Sequence, residues 1–265
     1  MTTAIIGAGV MGESILAGLL RAGHDPATVL VGEKRAERAA ELTARYGVRV
    51  LANREAAAGA STVLLVVKPG DLVGVLDEVA DTLNPGVLVV SLAAGVTLAT
   101  IEARLPAGVS AARVMPNTPA LIGEGMAALS PGTHCTAEQL DTAEALLAVS
   151  GRVVRVEERQ MDAVTAVSGS GPAYLFYVAD AMIEAGVHLG LSRDVAAELA
   201  TQTLTGAALM LRETGESAVV LRERVTSPAG TTAAALRTLD DRGVRAAFLA
   251  AVEAARDRSL ELSGN

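Results

Sequence analysis

Aromatic side chains are nearly absent from this 265-residue chain, which has no Trp, three Tyr and two Phe. That removes the stacking platforms on which single-stranded nucleic acid is usually held. Positive charge is short as well: the formal net charge is -8, the reverse of a nucleic-acid binder's electrostatic footprint. Cys135 is the only cysteine, so an intramolecular disulfide framework and a thiolate metal cluster are excluded, and a reducing cytoplasm suits the chain. Apolar runs such as "STVLLVV" and "GVLVV" are strand-length, far below the roughly 20 residues of a membrane span. The N-terminus enters a strand with no basic leader region, so no signal peptide is expected. These absences predict a soluble, cytoplasmic protein with neither nucleic acid nor membrane as a partner.

Groups for acid–base chemistry are equally scarce. Lys34 and Lys68 are the only lysines, so the second half offers none as a Schiff base or general acid. His24, His134 and His188 are scattered and lie outside the glycine motifs; each reads as structural or solvated. No HxxxH or Cys/His cluster supports a metal site. "SGSG" is not the G-x-S-x-G elbow, and no histidine is placed to activate Ser168 or Ser170. Carbonyl reduction ordinarily draws on a His, Lys or Tyr proton donor. An imine that arrives protonated needs none, since its carbon accepts hydride directly.

Against this background the first half has a clear rhythm. "TTAII" is a short buried strand, followed by a glycine turn and a helix with apolar residues at 3–4 spacing. "TVLVGEKR", "VRVLAN", "STVLLVVKP" and "GVLVVSLAAG" continue as strands, with "RAERAAELTARYG" and "DLVGVLDEVADTLNPG" as helices. Alternation of this kind implies parallel strands joined by right-handed crossovers. "AARVMPNTP", "GMAALSPG" and "RVVRVEE" read as further strands open to antiparallel pairing, with "AEQLDTAEALLAVSG" a helix among them. Beyond Glu158 the periodicity is helical throughout, and the Ala-rich helices are apolar around most of their circumference. So much apolar surface predicts a homodimer through this half. The expected fold class is α/β: a Rossmann-type dinucleotide-binding domain over residues 1–158, then an all-α dimerisation and substrate domain over 159–265.

The first strand runs into Gly7-Ala8-Gly9-Val10-Met11-Gly12, a GxGxxG that opens a helix. In this context its glycines let the backbone approach a pyrophosphate at the positive helix end. The second strand ends in Glu33-Lys34-Arg35, and its charges conflict. An acidic residue there takes the ribose 2′-hydroxyl of NAD, whereas basic residues take the 2′-phosphate of NADP. Two cations against one carboxylate favour NADP, with NAD the alternative. Lys68 follows the fourth strand, which Pro69 ends, at the carboxyl edge where open α/β sheets bind ligands.

Two stretches of the helical half place Ser, Gly and Pro directly before a helix: "SGSGPAYLF" from Ser168 and "TSPAGTT" from Thr226. Either alone reads as caps and turns. Two of them in a chain with a nicotinamide site suggest amides and hydroxyls that hold a carboxylate without an arginine.

With "IIGAGVMGESILAGLL", "VVKP", "SLAAGVT", "RVMPNTP", "AVSGSGPAYLF" and "VTSPAGTT" in this order, essentially the whole chain resembles the pyrroline-5-carboxylate reductases, which make L-proline. The last two motifs separate that family from other GxGxxG reductases. The resemblance implies hydride transfer from NADPH to (S)-1-pyrroline-5-carboxylate, interlocked dimers and further assembly, commonly into decamers. It implies cofactor contacts at the Gly7–Gly12 turn, Asn53, Val67, Lys68, Pro69 and Ala94, with Asn117 lining the same cleft. It also implies a carboxylate cradle of Ser227 with the backbone of Gly230 and Thr231. Thr232 then sits at the ring nitrogen or nicotinamide as the catalytic residue, and Ser168, Gly169, Ser170 and Gly171 close the site. The family usually has a second glycine where Ala229 stands, and alanine there is costly only if the backbone needs a positive φ. "TGESAVVL" lacks the family's common His-Pro pair, a difference confined to one peripheral turn. Related β-hydroxyacid dehydrogenases share "GAGVMG" but use a lysine in the helical half. Reduction of other cyclic imines, or a non-catalytic NADP-binding role, are the remaining alternatives.

Overall fold

The structure, a computed structural model, describes residues 1–263. Eight strands form one sheet in the order β3-β2-β1-β4-β5-β6-β7-β8. They are β1 (Thr3–Ile6), β2 (Val29–Gly32), β3 (Arg49–Leu51), β4 (Thr62–Leu65), β5 (Leu88–Ser91), β6 (Ser110–Met115), β7 (Gly125–Pro131) and β8 (Gly151–Arg155). Strands β1 to β6 pair in parallel. β7 turns antiparallel to β6, and β8 then follows β7 in parallel. All eight expected strands are present, and the antiparallel option is realised once.

The helices are α1 (Val10–Arg21), α2 (Ala36–Tyr46), α3 (Asn53–Ala58), α4 (Pro69–Val79), α5 (Leu98–Glu102), α6 (Ala137–Ala148) and α7 (Met161–Val164), followed by a π-turn over Thr165–Gly169. Then come α8 (Gly171–His188), α9 (Arg193–Thr214), α10 (Ala218–Arg224), α11 (Thr231–Asp241) and α12 (Val244–Ser263).

Every residue of β1, β2, β4 and β5 is buried, as a parallel sheet covered on both faces requires. Alternate side chains divide between two cores. On one face Ala4, Ile6, Val63, Leu65 and Val89 meet Ala56 and Ala57 of α3, Leu72 and Leu76 of α4 and Ile101 of α5. On the other, Ile5, Val31, Leu64, Val90 and Val114 meet Ile15 and Leu19 of α1, Leu42 of α2 and Leu147 of α6. Local signals fix the helix ends. Gly47 stops α2 at φ 67, where alanine would be strained. Thr136 and Gln139 form a reciprocal capping box on α6, which satisfies two otherwise orphan donors.

The chain divides into two compact units, Met1–Ser170 with the residues from Ala255 on, and Gly171–Ala254. The end of α12 therefore belongs to the first unit, where buried Ser259 donates through Oγ to Asp162 Oδ1 at 2.6 Å. The second unit is helical, as expected. Its helices α8 and α9 approach closely where Gly186 faces Ala196; a Cβ on that glycine would lie 2.9 Å from Ala196 Cβ. Much of its apolar surface stays in solvent within one chain: Phe176 is 68% and Leu189 81% exposed, and α8 buries no residue. Among the described residues no helix is long and apolar enough to cross a membrane.

The Ser259–Asp162 bond is buried, and Ser259→Ala would leave the carboxyl without this donor, at a cost of about 1–3 kcal/mol. Urea unfolding of the two proteins, compared at equal slope, measures it.

Candidate nucleotide cleft and anion-binding turn

The parallel strands deliver the first group of expected residues to one edge of the sheet. Gly7 follows β1, Asn53 follows β3, Lys68 follows β4, Ala94 follows β5 and Asn117 follows β6. Strand order reverses between β2-β1 and β4, which places the glycine turn at a topological switch point. Its three glycines answer three separate demands. Gly7 has φ +97, and a Cβ on it would lie 2.4 Å from the Val66 carbonyl oxygen. A Cβ on Gly12 would fall 2.1 Å from Gly7 O, so α1 can pack this close to β1 only with glycine there. Gly9 meets nothing within 4 Å, which leaves its face open to an approaching group. Gly9 is also the N-cap of α1 and provides no side-chain cap, so the amides of the first turn remain available to an anion. Beside the turn a cleft of about 560 Å³ is lined by Gly7, Gly32, Glu33, Lys34, Asn53, Val67 and Asp71. These residues fit a dinucleotide.

Arg38, on the first turns of α2, was missed in the sequence, where it reads as one more charge on a solvated helix. Its Nε donates to the Ala8 carbonyl at 3.3 Å, which ties down the glycine turn from outside. The same guanidinium donates to Glu41 at 2.6 Å and to Glu13 in the first turn of α1. Glu13 also accepts from Tyr46 Oη at 2.8 Å and Arg45 at 3.0 Å. Burial works to raise the Glu13 carboxyl, but the bonds from Arg38 and Tyr46 and the nearby positive charge carry it below its ordinary value. The spacing of α2 shows only the local i,i+3 pair with Glu41; the partners that matter to the turn, Glu13 and the Ala8 carbonyl, come from α1 and the turn itself.

The conflict of charges after β2 resolves into pairs. Glu33 accepts from Arg35 Nε at 3.1 Å, Nη2 at 3.2 Å and the Arg35 backbone N–H at 2.9 Å. Lys34 pairs with Glu78 of α4 at 2.9 Å, and the Asn53 amide donates to the same carboxylate at 3.1 Å. Asn53 is buried and packs so closely on Gly32 that a Cβ there would lie 2.7 Å from its Oδ1. Lys68 and Pro69 open α4, Lys68 as its exposed N-cap and Pro69 in its first turn.

Asn117 links the sheet edge to the "SGSG" stretch. Its Nδ2 donates to the Ser168 carbonyl at 3.1 Å, and its Oδ1 accepts from Met126 N at 2.8 Å. The Ser168 carbonyl lies in the π-turn, a local widening often found at functional sites. Gly169 is pressed against Met115, whose Cε would be 2.5 Å from a Cβ. Ser168 Oγ turns back to Val164 O at 3.1 Å, Ser170 N donates to Thr165 O at 2.8 Å, and Gly171 starts α8.

The remaining expected residues lie in the second unit. Ser227 O accepts from Gly230 N at 3.0 Å, closing a turn with Pro228 and Ala229 at its centre. Ala229 has φ 57, the only positive-φ residue besides glycines among the described residues. Proline followed by a positive φ is the type II pattern, which calls for glycine in the second seat. The turn delivers Gly230 as the N-cap of α11, with no side-chain cap on the helix. A Cβ on Gly230 would meet Ser227 Oγ at 2.5 Å, so the hydroxyl sits directly over the helix start. Among the described residues no protein group hydrogen-bonds the hydroxyls of Ser227, Thr231 or Thr232, and no titratable side chain occurs between Thr226 and Leu236. Nor is any group of three or more His, Cys, Asp and Glu placed to hold a metal ion among those residues.

A family model described as pyrroline-5-carboxylate reductase dimerisation matches residues 158–262, and one described as NADP oxidoreductase, coenzyme F420-dependent, matches residues 2–95. The chain is 47% identical to a pyrroline-5-carboxylate reductase of Corynebacterium melassecola, covering 98% of both chains. The chain belongs to the pyrroline-5-carboxylate reductase family. A Mycobacterium tuberculosis member is 44% identical, covering 98% of this chain and 96% of the relative. Among solved structures, that of the Coxiella burnetii pyrroline-5-carboxylate reductase superposes with a TM-score of 0.95 at 38% identity, covering 98% of both chains. A Plasmodium falciparum pyrroline carboxylate reductase with NADP bound gives 0.86 at 26% identity, covering 99% of this chain and 98% of the other. Ala229 carries a cost, since alanine in the left-handed region is disfavoured by about 1–2 kcal/mol.

Ala229→Gly should raise stability by roughly 1 kcal/mol, the relief of strain exceeding glycine's greater freedom in the unfolded chain; denaturant midpoints report it. Glu13 gives a pH signature. Its folded value lies below the ordinary 4.5, so its contribution is complete above that value and is lost as pH falls through the lower folded value. Unfolding followed from about pH 7 to about pH 3 should show a decline that is shallower in Glu13→Gln.

Proposed function

We propose that the chain reduces (S)-1-pyrroline-5-carboxylate to L-proline, the last step of proline biosynthesis, with NAD(P)H. The observation that carries this reading is the start of α11: an uncapped helix end, three hydroxyls without protein partners and no titrating group in the segment. Such a site suits a small carboxylate whose reactive bond already carries its proton.

In this reading residues 1–158 hold the dinucleotide. The Gly7–Gly12 turn takes the pyrophosphate, Asn53, Val67, Lys68 and Pro69 flank it, and Ala94 lies toward the nicotinamide. NAD(P)H, when bound, supplies the hydride. Residues 159–265 hold the imino acid and form the dimer. Ser227 Oγ with the amides of Gly230 and Thr231 receives the carboxylate. Thr232 Oγ1 accepts from the ring N–H⁺ and orients the C=N carbon. As hydride reaches that carbon, the π electrons become the nitrogen lone pair, and the amine then takes a proton from water. No side chain has to give one up. Ser168 to Gly171 close the site, and Asn117 acts by holding the Ser168 carbonyl.

The exposed apolar faces of α8 and α9 support a homodimer through the second half, and a higher homo-oligomer such as a decamer is the assembly we assign. The single thiol of Cys135 agrees with a cytoplasmic location. Lys34 and Arg35 were expected to receive the 2′-phosphate of NADP; both are already paired with carboxylates.

Adding pyrroline-5-carboxylate to the protein with NADH or NADPH should consume the reduced nicotinamide and yield proline. No consumption with either cofactor overturns the proposal. Thr232→Ala should lower kcat roughly tenfold to a hundredfold, as for loss of one hydrogen bond to a charged group, with dinucleotide affinity unaltered. Ser227→Ala should chiefly raise KM for the imino acid.

A further inference from the structure

The wall of the cleft after β2 makes a choice between the two nicotinamide dinucleotides. We propose that Glu33 is the residue that discriminates at the ribose 2′ position, and that it makes NADH the tighter-bound cofactor. The inference rests on the dinucleotide reading of this cleft and extends it.

Glu33 stands at the end of the second strand of a Rossmann-type sheet, the seat from which an acidic side chain accepts the 2′-hydroxyl. Its side chain is only 8% exposed and lines the cleft with Gly32 and Lys34. Three donors from Arg35 fix the carboxylate, and they hold it ionised, the Arg35 side-chain bonds outweighing the effect of burial. With the Lys34 backbone N–H also directed at the carboxylate, a ligand finds at most a shared acceptor position there. A ribose hydroxyl donates into that position. A phosphate monoester carries no proton to offer there at neutral pH beyond a fraction, and brings about −1.5 to −2 charges instead.

The two cations that could answer a phosphate are both committed. Arg35 is held on Glu33, and Lys34 on Glu78, whose carboxylate Asn53 also anchors. These four charges cancel, and Asp71 adds a further carboxylate to the lining. For a 2′-phosphate to be received, Arg35 must leave Glu33 and the exposed carboxylate must then face the incoming dianion. The sequence counted two cations against one carboxylate. The fold brings in Glu78 from α4 and removes that surplus.

Isothermal titration of the full chain separates this from catalysis, because nucleotide binding is read with no imino acid present. A protein that fails to reduce pyrroline-5-carboxylate can still pass or fail here. NADH should bind about tenfold tighter than NADPH, the scale of one partly exposed charge interaction. Adenosine 5′-monophosphate should likewise bind tighter than its 2′-phosphorylated analogue, which differs only at the position in question. Glu33→Gln should reverse the order, with NADPH gaining about tenfold and NADH losing affinity. Arg35→Gln, which removes the side-chain donors that fix and neutralise Glu33, should weaken NADPH more than NADH and so widen the ratio between them. Wild-type protein that binds NADPH as tightly as NADH, or an unchanged ratio in Glu33→Gln or Arg35→Gln, overturns the proposal.

Discussion

Two backbone segments cross at the end of β1 with no space between them for a side chain. The Gly7 carbonyl would touch a Cβ on Gly12 at 2.1 Å, and the Val66 carbonyl would touch one on Gly7 at 2.4 Å. This crossing brings the start of α1 to the point where the strand order reverses, and the open face of Gly9 beside it is what remains for a ligand. Arg38 and Glu13 act on the same crossing from the solvent side, linking α2, α1 and the turn through one cluster. The cleft, its charge pairs and the expected cofactor contacts all take their positions from that junction.

The second unit meets its task by different means. It has no lysine and places no acid or base in the segment from Thr226 to Leu236. What it presents is a helix start made accessible by a strained turn. Ala229 holds φ 57 without glycine's freedom, and the strain sits one residue from the N-cap it delivers. Strain of this kind persists only where the surrounding structure over-determines the backbone.

Much of this was legible in the residues, and the exceptions share a cause. β1, β2, β4 and β5 declare themselves because burial on both faces demands continuous apolar runs. Gly47 and the glycine turn are visible because each answers a local steric need. α3 escapes notice: Asn53–Ala58 is short and Ala-rich, with no period long enough to read. The π-turn at Thr165–Gly169 has no composition of its own; what meets it, Met115 against Gly169 and Asn117 on the Ser168 carbonyl, comes from elsewhere in the chain. Arg38 and Glu78 were invisible for the same reason, since Glu13 and the Ala8 carbonyl in the one case and Lys34 and Asn53 in the other lie far along the chain. Even at Ala229 the sequence could pose the question of a positive φ but not answer it.

The Ser259–Asp162 bond has a temporal side. Residues from Ala255 on complete the same compact unit that begins at Met1, with the whole of Gly171–Ala254 translated in between. On the ribosome that unit stays without its final helical segment until nearly all the chain has emerged, and Asp162 waits without its hydroxyl donor. N-terminal domains generally fold as units while synthesis continues; here vectorial synthesis and domain completion are out of step, and the unit's last packing contact is also the last to be made.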